Sequence, residues 1–255
     1  MGCVGFCMAV GLPSTSMQSY EKQAHKELVR WQKEMLRKPN ILGRWSKKLQ
    51  VKFNSWIPEK VHAAITATIK QMIRGVLFGS TYTTAKPVED RSLEVREFAI
   101  QQRIRAYRNT AAVEGGVTGA GGILLGLADF PLLLGIKLKL LFDIAALYGF
   151  DVRDYKERVY ILYIFQLAFS SQQHRRQTYL KMADWDSTIR EFPENLENFD
   201  WRSLQQEYRD YLDIAKMAQL VPVIGAPVGV FVNYQLIRKL GRTAMNAYRM
   251  RIIKN

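Results

Sequence analysis

Three acidic residues lie within otherwise apolar stretches of the sequence, and their side chains are the ones best placed to do chemistry. They are Glu114, Asp129 and Asp143, and Asn233 has a similar apolar setting further along the chain. A carboxyl group buried among apolar side chains must be paired, protonated or functional. One hypothesis is therefore a shared polar site made by these four residues, which would bind a lipid headgroup, a cation or a proton.

Each of the three acids also has a structural explanation, and the sequence favours these explanations. Asp129 can cap a helix that begins two residues later. Asp143 follows Lys139 by one helical turn, within reach of an ion pair. Glu114 can pair with Arg108 or with a more distant arginine. If the site were instead catalytic, Glu114, Asp129 and Asp143 would be the acids of an enzyme that acts on lipids.

Other motifs for catalysis or ligand binding are missing from the sequence. The histidines His25, His62 and His174 lie far apart, and none has a partner at metal-ligand spacing. There is no nucleophile elbow and no zinc-protease motif. The glycine-rich run at 115–126 lacks the Lys-Ser/Thr of a phosphate-binding loop, and no strand precedes it. We therefore predict no catalytic residues, no metal and no cofactor, and we favour a protein that is not an enzyme.

A basic and aromatic surface is better supported than any reaction. Tryptophans recur among lysines and arginines in the first part of the chain, and more cations follow near its end. The residues assigned to this surface are Trp31, Trp45, Trp56, Lys33, Arg37, Arg44, Lys47, Lys48, Lys52, Arg238, Lys239 and Arg242, with Arg249, Arg251 and Lys254 as an extension. Indole rings favour the membrane interface, and each cation near an anionic leaflet contributes about 1 kcal/mol. We predict contact with anionic membrane lipid; a solvated basic face and a nucleic-acid-binding face are the alternatives.

The distribution of charge along the chain leads to the same prediction. The net charge is +14, yet residues 1–80 hold 13 Lys and Arg against 4 Asp and Glu, and residues 234–255 hold 6 Lys and Arg and no acid. The excess of positive charge therefore lies at the two ends of the sequence. Such an asymmetry is typical of a protein that meets an anionic surface.

The elements that must position these residues all have helical patterns. Apolar residues recur at helical spacing and no stretch alternates with the period of a strand, which predicts an all-α fold. We predict helices at 17–38, 44–56, 58–78, 88–113, 131–148 and 151–173, and a basic helix that closes the chain. Gly149 should end one helix and Asp151 should cap the next. The run 159–169 is apolar on every side and should lie at the centre, whereas 184–200 is an acidic loop or insertion.

Two stripes of small residues lie on helix faces. Gly115, Gly119, Gly122 and Gly126 follow spacings of 4, 3 and 4, and Ala215, Ala218, Pro222, Gly225 and Gly229 follow spacings of 3, 4, 3 and 4. Each glycine inside a helix costs about 1 kcal/mol relative to alanine, so close packing of helix backbones must offset that cost. We predict that the two stripes pack against each other in a soluble core, or enter a bilayer as paired apolar hairpins.

The runs 114–151 and 220–251 resemble the EcsC family. The shared features are the acid-plus-glycine run, the Ala-Asp-x-Pro turn, the Tyr-Gly-Phe-Asp step and the Pro-x-x-Gly-x-x-x-Gly-x-x-x-Asn pattern. The resemblance extends from about Tyr20 to Arg251. It implies one EcsC-like helical domain over residues 17–255, with closely packed, glycine-rich central helices and 184–200 as a candidate insertion. Residues 1–16 would form a disordered N-terminal segment outside the domain.

The family resemblance implies a setting rather than a reaction. The founding member is encoded beside the ATPase and the permease of an ABC exporter, and no enzyme activity is established for the family. The resemblance therefore implies an accessory protein of a transport or secretion system, with ABC transporter subunits as candidate partners. Together with the basic surface, it predicts a cytoplasmic protein held peripherally at the inner face of the membrane.

Overall fold

The computed structural model of the chain describes residues 15–37, 86–120, 130–170, 172–190 and 225–253, and the single helical positions 67, 71 and 75. Within these ranges only the backbone is described for 15–17, 112–120, 130–132, 172–173 and 225–229. The described residues form seven helices and no strand: α1 (Thr15–Leu36), α2 (Leu93–Ala120), α3 (Phe130–Leu147), α4 (Tyr155–Phe169), α5 (Gln172–Ala183), α6 (Trp185–Arg190) and α7 (Gly225–Ile252). The predicted all-α fold is therefore confirmed. The helices predicted at 44–56 and 58–78 lie in the part of the chain outside these ranges.

The last helix, α7, lies at the centre of the fold. It packs against α1, α2, α3 and α4. Its inward face is fully buried at Ile237, Leu240, Ala244 and Ala247. A helix surrounded on several sides must be apolar around most of its circumference, and only part of α7 is left for exposed basic side chains, such as Arg238 and Arg242.

Helix α2 runs antiparallel to α7 and extends further than predicted. It begins at Leu93 and continues to Ala120, through the first glycines of the run. From one end of the pair to the other, the facing residues are Glu97 and Arg249, Ile104 and Gly241, and Arg108 and Tyr234. Continued along both helices, this register brings the backbones of 115–120 and 225–230 alongside each other. The arrangement suits the predicted packing of the two small-residue stripes, whose contacts lie outside the described side chains and stay a prediction.

The junction between α3 and α4 includes one correct and one wrong prediction. Gly149 has a φ of +90° and follows the end of α3, as predicted, because glycine tolerates this left-handed conformation. The cap of α4 is Asp154 rather than Asp151, since the Asp154 carboxylate accepts a hydrogen bond of 3.0 Å from the amide of Lys156. Asp151 instead accepts from the amide of Arg153, in the turn before the helix.

Helix α4 is buried on nearly every side. Along the run 159–169 only Gln166 is partly exposed, so the predicted central position is confirmed. The helix ends at Phe169 rather than at 173, because Ser170 takes an extended backbone with a ψ of 157°. The chain then turns into α5, which packs against both α4 and α1.

The short helix α6 belongs to the packed body. Trp185 is 7% exposed and meets Tyr160 and Tyr163 edge-on, at ring-centroid distances of 4.8 and 5.5 Å. The first residues of the predicted acidic insertion are therefore part of the helical core, and residues 191–200 lie beyond the described ranges.

Helix α1 is amphipathic, as predicted, and buries Ala24, Leu28, Trp31 and Met35. The predicted membrane contact of Trp31 is wrong, because its indole ring is 2% exposed and packs edge-on against Tyr179 of α5. The core covers the apolar face of α1, so the indole of Trp31 is not free to enter a membrane interface. The other predicted contacts in this region, Trp45, Trp56, Arg44, Lys47, Lys48 and Lys52, lie outside the described residues.

Candidate functional site

A buried ion-pair network joins α1, α2, α3 and α7. Glu97 has no exposed surface and receives two hydrogen bonds from the guanidinium of Arg249, at 2.7 and 2.5 Å. The hydroxyls of Tyr20 and Tyr148 donate to the same carboxylate at 2.6 and 2.9 Å. The third nitrogen of Arg249 donates to Glu27 at 2.8 Å. Burial favours the neutral form of Arg249, but the hydrogen bonds and the charge of Glu97 outweigh it and raise the pKa of Arg249, so the guanidinium stays charged.

A second network lies beside the first and joins α4 to α7. Glu157 is 4% exposed and accepts from Tyr248 and Arg251, each at 2.6 Å. The guanidinium of Arg251 also lies over the rings of Phe150 and Tyr160, at 3.9 and 4.6 Å from the ring centroids. Burial raises the pKa of Glu157 although both hydrogen-bond donors oppose the shift. Both oxygens of the Glu157 carboxylate are bound by side chains of α7, which indicates a structural clamp.

The two networks correct the predicted extension of the basic surface. Arg249 is 3% exposed, and the side chain of Arg251 is 25% exposed and paired with an internal carboxylate. Neither cation is therefore available to a membrane. The sequence contained an indication that Arg249 and Arg251 are internal. Glu97 and Glu157 lie on the inward faces of α2 and α4, and a buried carboxylate requires a cation.

The predicted four-residue polar site is only partly described. Asp143 is buried, pairs with Lys139, and accepts a 2.8 Å hydrogen bond from Tyr107, so the predicted ion pair is confirmed. Asn233 is 2% exposed, and its side-chain nitrogen has no hydrogen-bond partner among the described residues. The side chains of Glu114 and Asp129 lie outside these residues. Asp143 is thus already paired, and the shared four-residue site stays a prediction.

A lysine outside the predicted sites is buried in α3. Lys137 is 7% exposed and lies one turn from Leu133, Leu134, Leu140 and Leu141, all of them buried. Burial lowers its pKa to about 8. The spacing of the leucines at three and four positions on either side is the signal that could have identified it. No ion pair to it occurs among the described residues.

The outward face of α1 carries a row of cations that we call the α1 cationic stripe. Its members are exposed and follow the helical repeat: Lys22, Lys26, Arg30, Lys33 and Arg37. Two acids of the same helix, Glu27 and Glu34, turn towards α7 and bind Arg249 and Arg242, at 2.8 and 3.0 Å. The fold thus engages these two acids in ion pairs with α7 and leaves the cations facing outward, including the predicted contacts Lys33 and Arg37.

An open cavity of about 400 Å³ lies between α1, α2 and α7, and we call it the arginine cleft. It is lined by Glu27, Arg30, Gln101, Ile104, Arg238, Arg242, Met245, Asn246 and Arg249. Two predicted surface residues, Arg238 and Arg242, therefore line a concave site rather than a flat face. Lys239, the third, follows Arg238 on the exposed side of α7, where partial burial of its ammonium group and repulsion from Arg175 lower its pKa to about 8.

Two further observations concern metals and membranes. Among the described side chains, no group of three His, Cys, Asp or Glu residues is arranged to hold a metal ion. None of the described helices combines the length and the apolar character needed to cross a bilayer.

The fold and the site define an all-α protein in which buried acids are paired with cations, while exposed cations line one face of α1 and a cleft between α1, α2 and α7. The profile of the EcsC protein family matches residues 22–253, and the chain belongs to that family. The chain is 42% identical over 230 residues to Protein EcsC of Bacillus subtilis (strain 168), covering 90% of this chain and 94% of that one. It is 36% identical over 147 residues to the uncharacterized protein YdbA of the same organism, covering 57% and 53% of the two chains. No solved structure matches the chain.

Proposed function

We propose that this EcsC family protein is a peripheral membrane protein that docks on anionic lipid through the α1 cationic stripe and performs no catalysis. The observation that carries the proposal is the division of charge on α1. Glu27 and Glu34 face α7, whereas the five cations of the stripe face outward. A cationic row on one face of a helix about 33 Å long matches a flat anionic surface.

The expected strength of this contact is moderate. Each cation near an anionic leaflet contributes about 1 kcal/mol, so five of them would supply several kcal/mol and hold the protein reversibly. The contact would be sensitive to salt, because the Debye length is about 10 Å at 0.1 M.

Phenyl rings, rather than the tryptophan predicted for α1, are available to enter the interface. Phe231 is 63% exposed and precedes Arg238 and Arg242 by 7 and 11 residues, so the three lie on one side of α7. Phe98, also 63% exposed, precedes the cleft residue Gln101 by one turn. An exposed aromatic ring beside arginines supports shallow insertion below the headgroups.

A vesicle co-sedimentation assay tests the proposal. The wild-type protein should bind vesicles of phosphatidylcholine mixed with phosphatidylglycerol, and should bind pure phosphatidylcholine weakly. The double variant Lys26→Glu/Lys33→Glu should weaken binding to the anionic vesicles by at least about tenfold per reversed charge.

The matched control reverses two cations away from the stripe. Lys86 and Lys156 are exposed and line neither the stripe nor the cleft. The variant Lys86→Glu/Lys156→Glu has the same net charge as the stripe variant and should retain more of the binding. Equal loss in the two variants, with folding intact by circular dichroism, would show that only net charge matters and would contradict docking through α1.

The transport part of the proposal rests on the family resemblance alone. An accessory of an ABC exporter should be recovered with the ATPase or the permease from gently solubilised membranes. Recovery of neither subunit, from cells in which the protein is bound to membranes, would remove the transporter from the proposal and leave lipid as the partner.

Nucleic acid is the second candidate partner for the same cations. It is favoured by the exposed phenyl rings next to arginines, which could stack on unpaired bases. Retention on single-stranded DNA that exceeds retention on anionic vesicles at every salt concentration would favour it over the membrane.

A further inference from the structure

The cations that line the arginine cleft differ in how far they are already neutralised. Arg249 forms the floor, and its guanidinium is used by Glu97 and Glu27. Arg242 binds Glu34 at 3.0 Å, but its side chain is 56% exposed. Arg30 and Arg238 are exposed and form no ion pair with any described residue, so their donors are available to a ligand.

The net charge of the cleft is positive after the internal pairs are counted. Four arginines line it, and the acids that touch them are Glu27, Glu34 and Glu97. Partial burial favours the protonated form of Glu27, but bonds from Arg249 and Gln23 and the charges of Arg249 and Arg30 outweigh it and lower its pKa. A carboxyl group held ionised in this way reports a positive local potential. The cleft is therefore suited to an anion.

The remaining lining limits the kind of anion. Ile104 and Met245 supply apolar surface, and the exposed amide of Gln101 can donate a hydrogen bond. Asn246 is already engaged, because its nitrogen donates to the Arg242 carbonyl at 2.9 Å and its oxygen faces Arg249 at 3.4 Å. A volume of about 400 Å³ falls within the range of small-molecule pockets and leaves room for an organic group beside the anionic one.

We infer that the arginine cleft binds a phosphate ester, with Arg30, Arg238 and Arg242 on its oxygens and its organic group against Ile104 and Met245. Guanidinium forks bind phosphate oxygens in pairs, and several forks that converge favour a multiply charged group. The ester could be the headgroup of a lipid or a soluble metabolite. The first source rests on the proposed membrane docking, whereas the second does not.

The first test uses a soluble phosphate ester and the whole chain. Titration calorimetry with glycerol 3-phosphate at low salt should show saturable binding to the wild-type protein. Arg238→Gln should weaken it by about tenfold, the loss expected for one charge-assisted pair. The control Lys156→Gln removes one cation elsewhere and should bind as the wild type does. Absence of saturable binding, equal binding by the variant Arg238→Gln, or equally tight binding of succinate would overturn the inference.

The second test separates the two sources of the ester. Vesicles that contain phosphatidic acid present a phosphomonoester, and vesicles that contain phosphatidylglycerol at matched surface charge present a phosphodiester. A preference for phosphatidic acid that Arg238→Gln abolishes would assign the cleft to a lipid headgroup. Binding of glycerol 3-phosphate without such a preference would assign it to a soluble metabolite.

The failure of the cleft and the failure of the membrane proposal have different signatures. Vesicle binding that is lost in Lys26→Glu/Lys33→Glu and kept in Arg238→Gln, without binding of glycerol 3-phosphate, would overturn the cleft inference and leave the stripe intact. Binding of glycerol 3-phosphate by a protein that binds no vesicles would overturn the membrane proposal and leave the cleft inference intact.

Discussion

Glu97 is the residue whose side chain links the largest number of helices through hydrogen bonds described above. It is fully buried and binds Arg249 of α7, Tyr148 after α3 and Tyr20 of α1. Burial and the negative charge of Glu97 raise the pKa of Tyr148 well above its ordinary value, so this tyrosine remains a donor at any physiological pH. One buried acid of α2 thus fixes the positions of α1, α7 and the end of α3 relative to its own helix.

Glu97→Gln should therefore destabilise the protein strongly. The substitution keeps the shape but leaves Arg249 without a buried counter-charge, which costs about 3 kcal/mol or more. Urea unfolding at pH 7 measures the change. The control Glu34→Gln removes an acid from a pair whose members are 42% and 56% exposed, and should cost less than about 1 kcal/mol. Similar losses in the two variants would show that the Glu97 network does not hold the helices.

Because Lys137 is buried, replacing it with an apolar residue should make the protein more stable. Its pKa is lowered by burial from 10.5 to about 8, so between these values the unfolded chain binds more protons than the folded one. Stability must then rise with pH across this window, and the cost of the buried charge is greatest below pH 8. Lys137→Met should raise the free energy of unfolding at pH 7 by roughly 1–3 kcal/mol.

The pH dependence of that gain distinguishes it from better packing. The difference between Lys137→Met and wild type should shrink between pH 8 and pH 10, because the lysine becomes neutral there. Unfolding in urea at both pH values measures it. The control Lys181→Met changes an exposed lysine and should show no such trend. A gain that is constant with pH would mean that the pKa of Lys137 is the same in the folded and the unfolded chain, and would contradict the cost of burying its charge.

At the scale of elements, the pairing of α2 with α7 requires a small residue at one crossing point. A Cβ atom added to Gly241 would lie 2.6 Å from the terminal carbon of Ile104. Gly135 on α3 is also inside a helix, but a Cβ there would meet nothing within 4 Å. A neighbouring helix therefore leaves no room for a side chain at Gly241, whereas a side chain at Gly135 has space.

The substitution Gly241→Ala should cost about 1–3 kcal/mol, the usual range for overpacking a core. Gly135→Ala should instead stabilise the protein by about 0.5–1 kcal/mol, because alanine reduces the freedom of the unfolded chain. Thermal and urea unfolding measure both. The double variant Gly241→Ala/Ile104→Ala should be more stable than the sum of the two single changes predicts. Simple additivity would show that the two residues do not collide.

At the scale of the whole molecule, the sequence has excess positive charge at both ends, and the fold treats the two ends differently. The cations of α1 face outward, whereas Arg249 and Arg251 of α7 are bound to buried acids. The surface available to an anionic partner is therefore narrower than the net charge of +14 indicates. We propose the stripe and the cleft as its binding surfaces, whereas other exposed cations, such as Lys86 and Lys156, lie apart from them.

Binding to anionic vesicles should fall steeply when salt is raised from about 0.1 to 0.5 M, since screening acts on exposed cations. A series of co-sedimentation assays measures the slope. Phe231→Ser should lower the binding that remains at high salt without changing the slope, because the ring contributes apolar contact rather than charge. Unchanged binding in this variant at every salt concentration would exclude insertion of Phe231.

The sequence by itself determined the helical class, the amphipathic α1, the central α4, the turn at Gly149 after α3 and the Lys139–Asp143 pair. These features depend on neighbours along the chain, through helical periodicity, one-turn spacing and the conformational freedom of glycine. Only the tertiary structure decided that Trp31 is buried, that Arg249 and Arg251 are internal, and that Arg30 shares a cleft with Arg238. Those outcomes depend on which helix packs against which, and residues such as Glu97 and Arg249 are 152 positions apart. Local patterns predict which face of a helix is apolar. The packing of the whole chain determines which distant residue a charged side chain contacts.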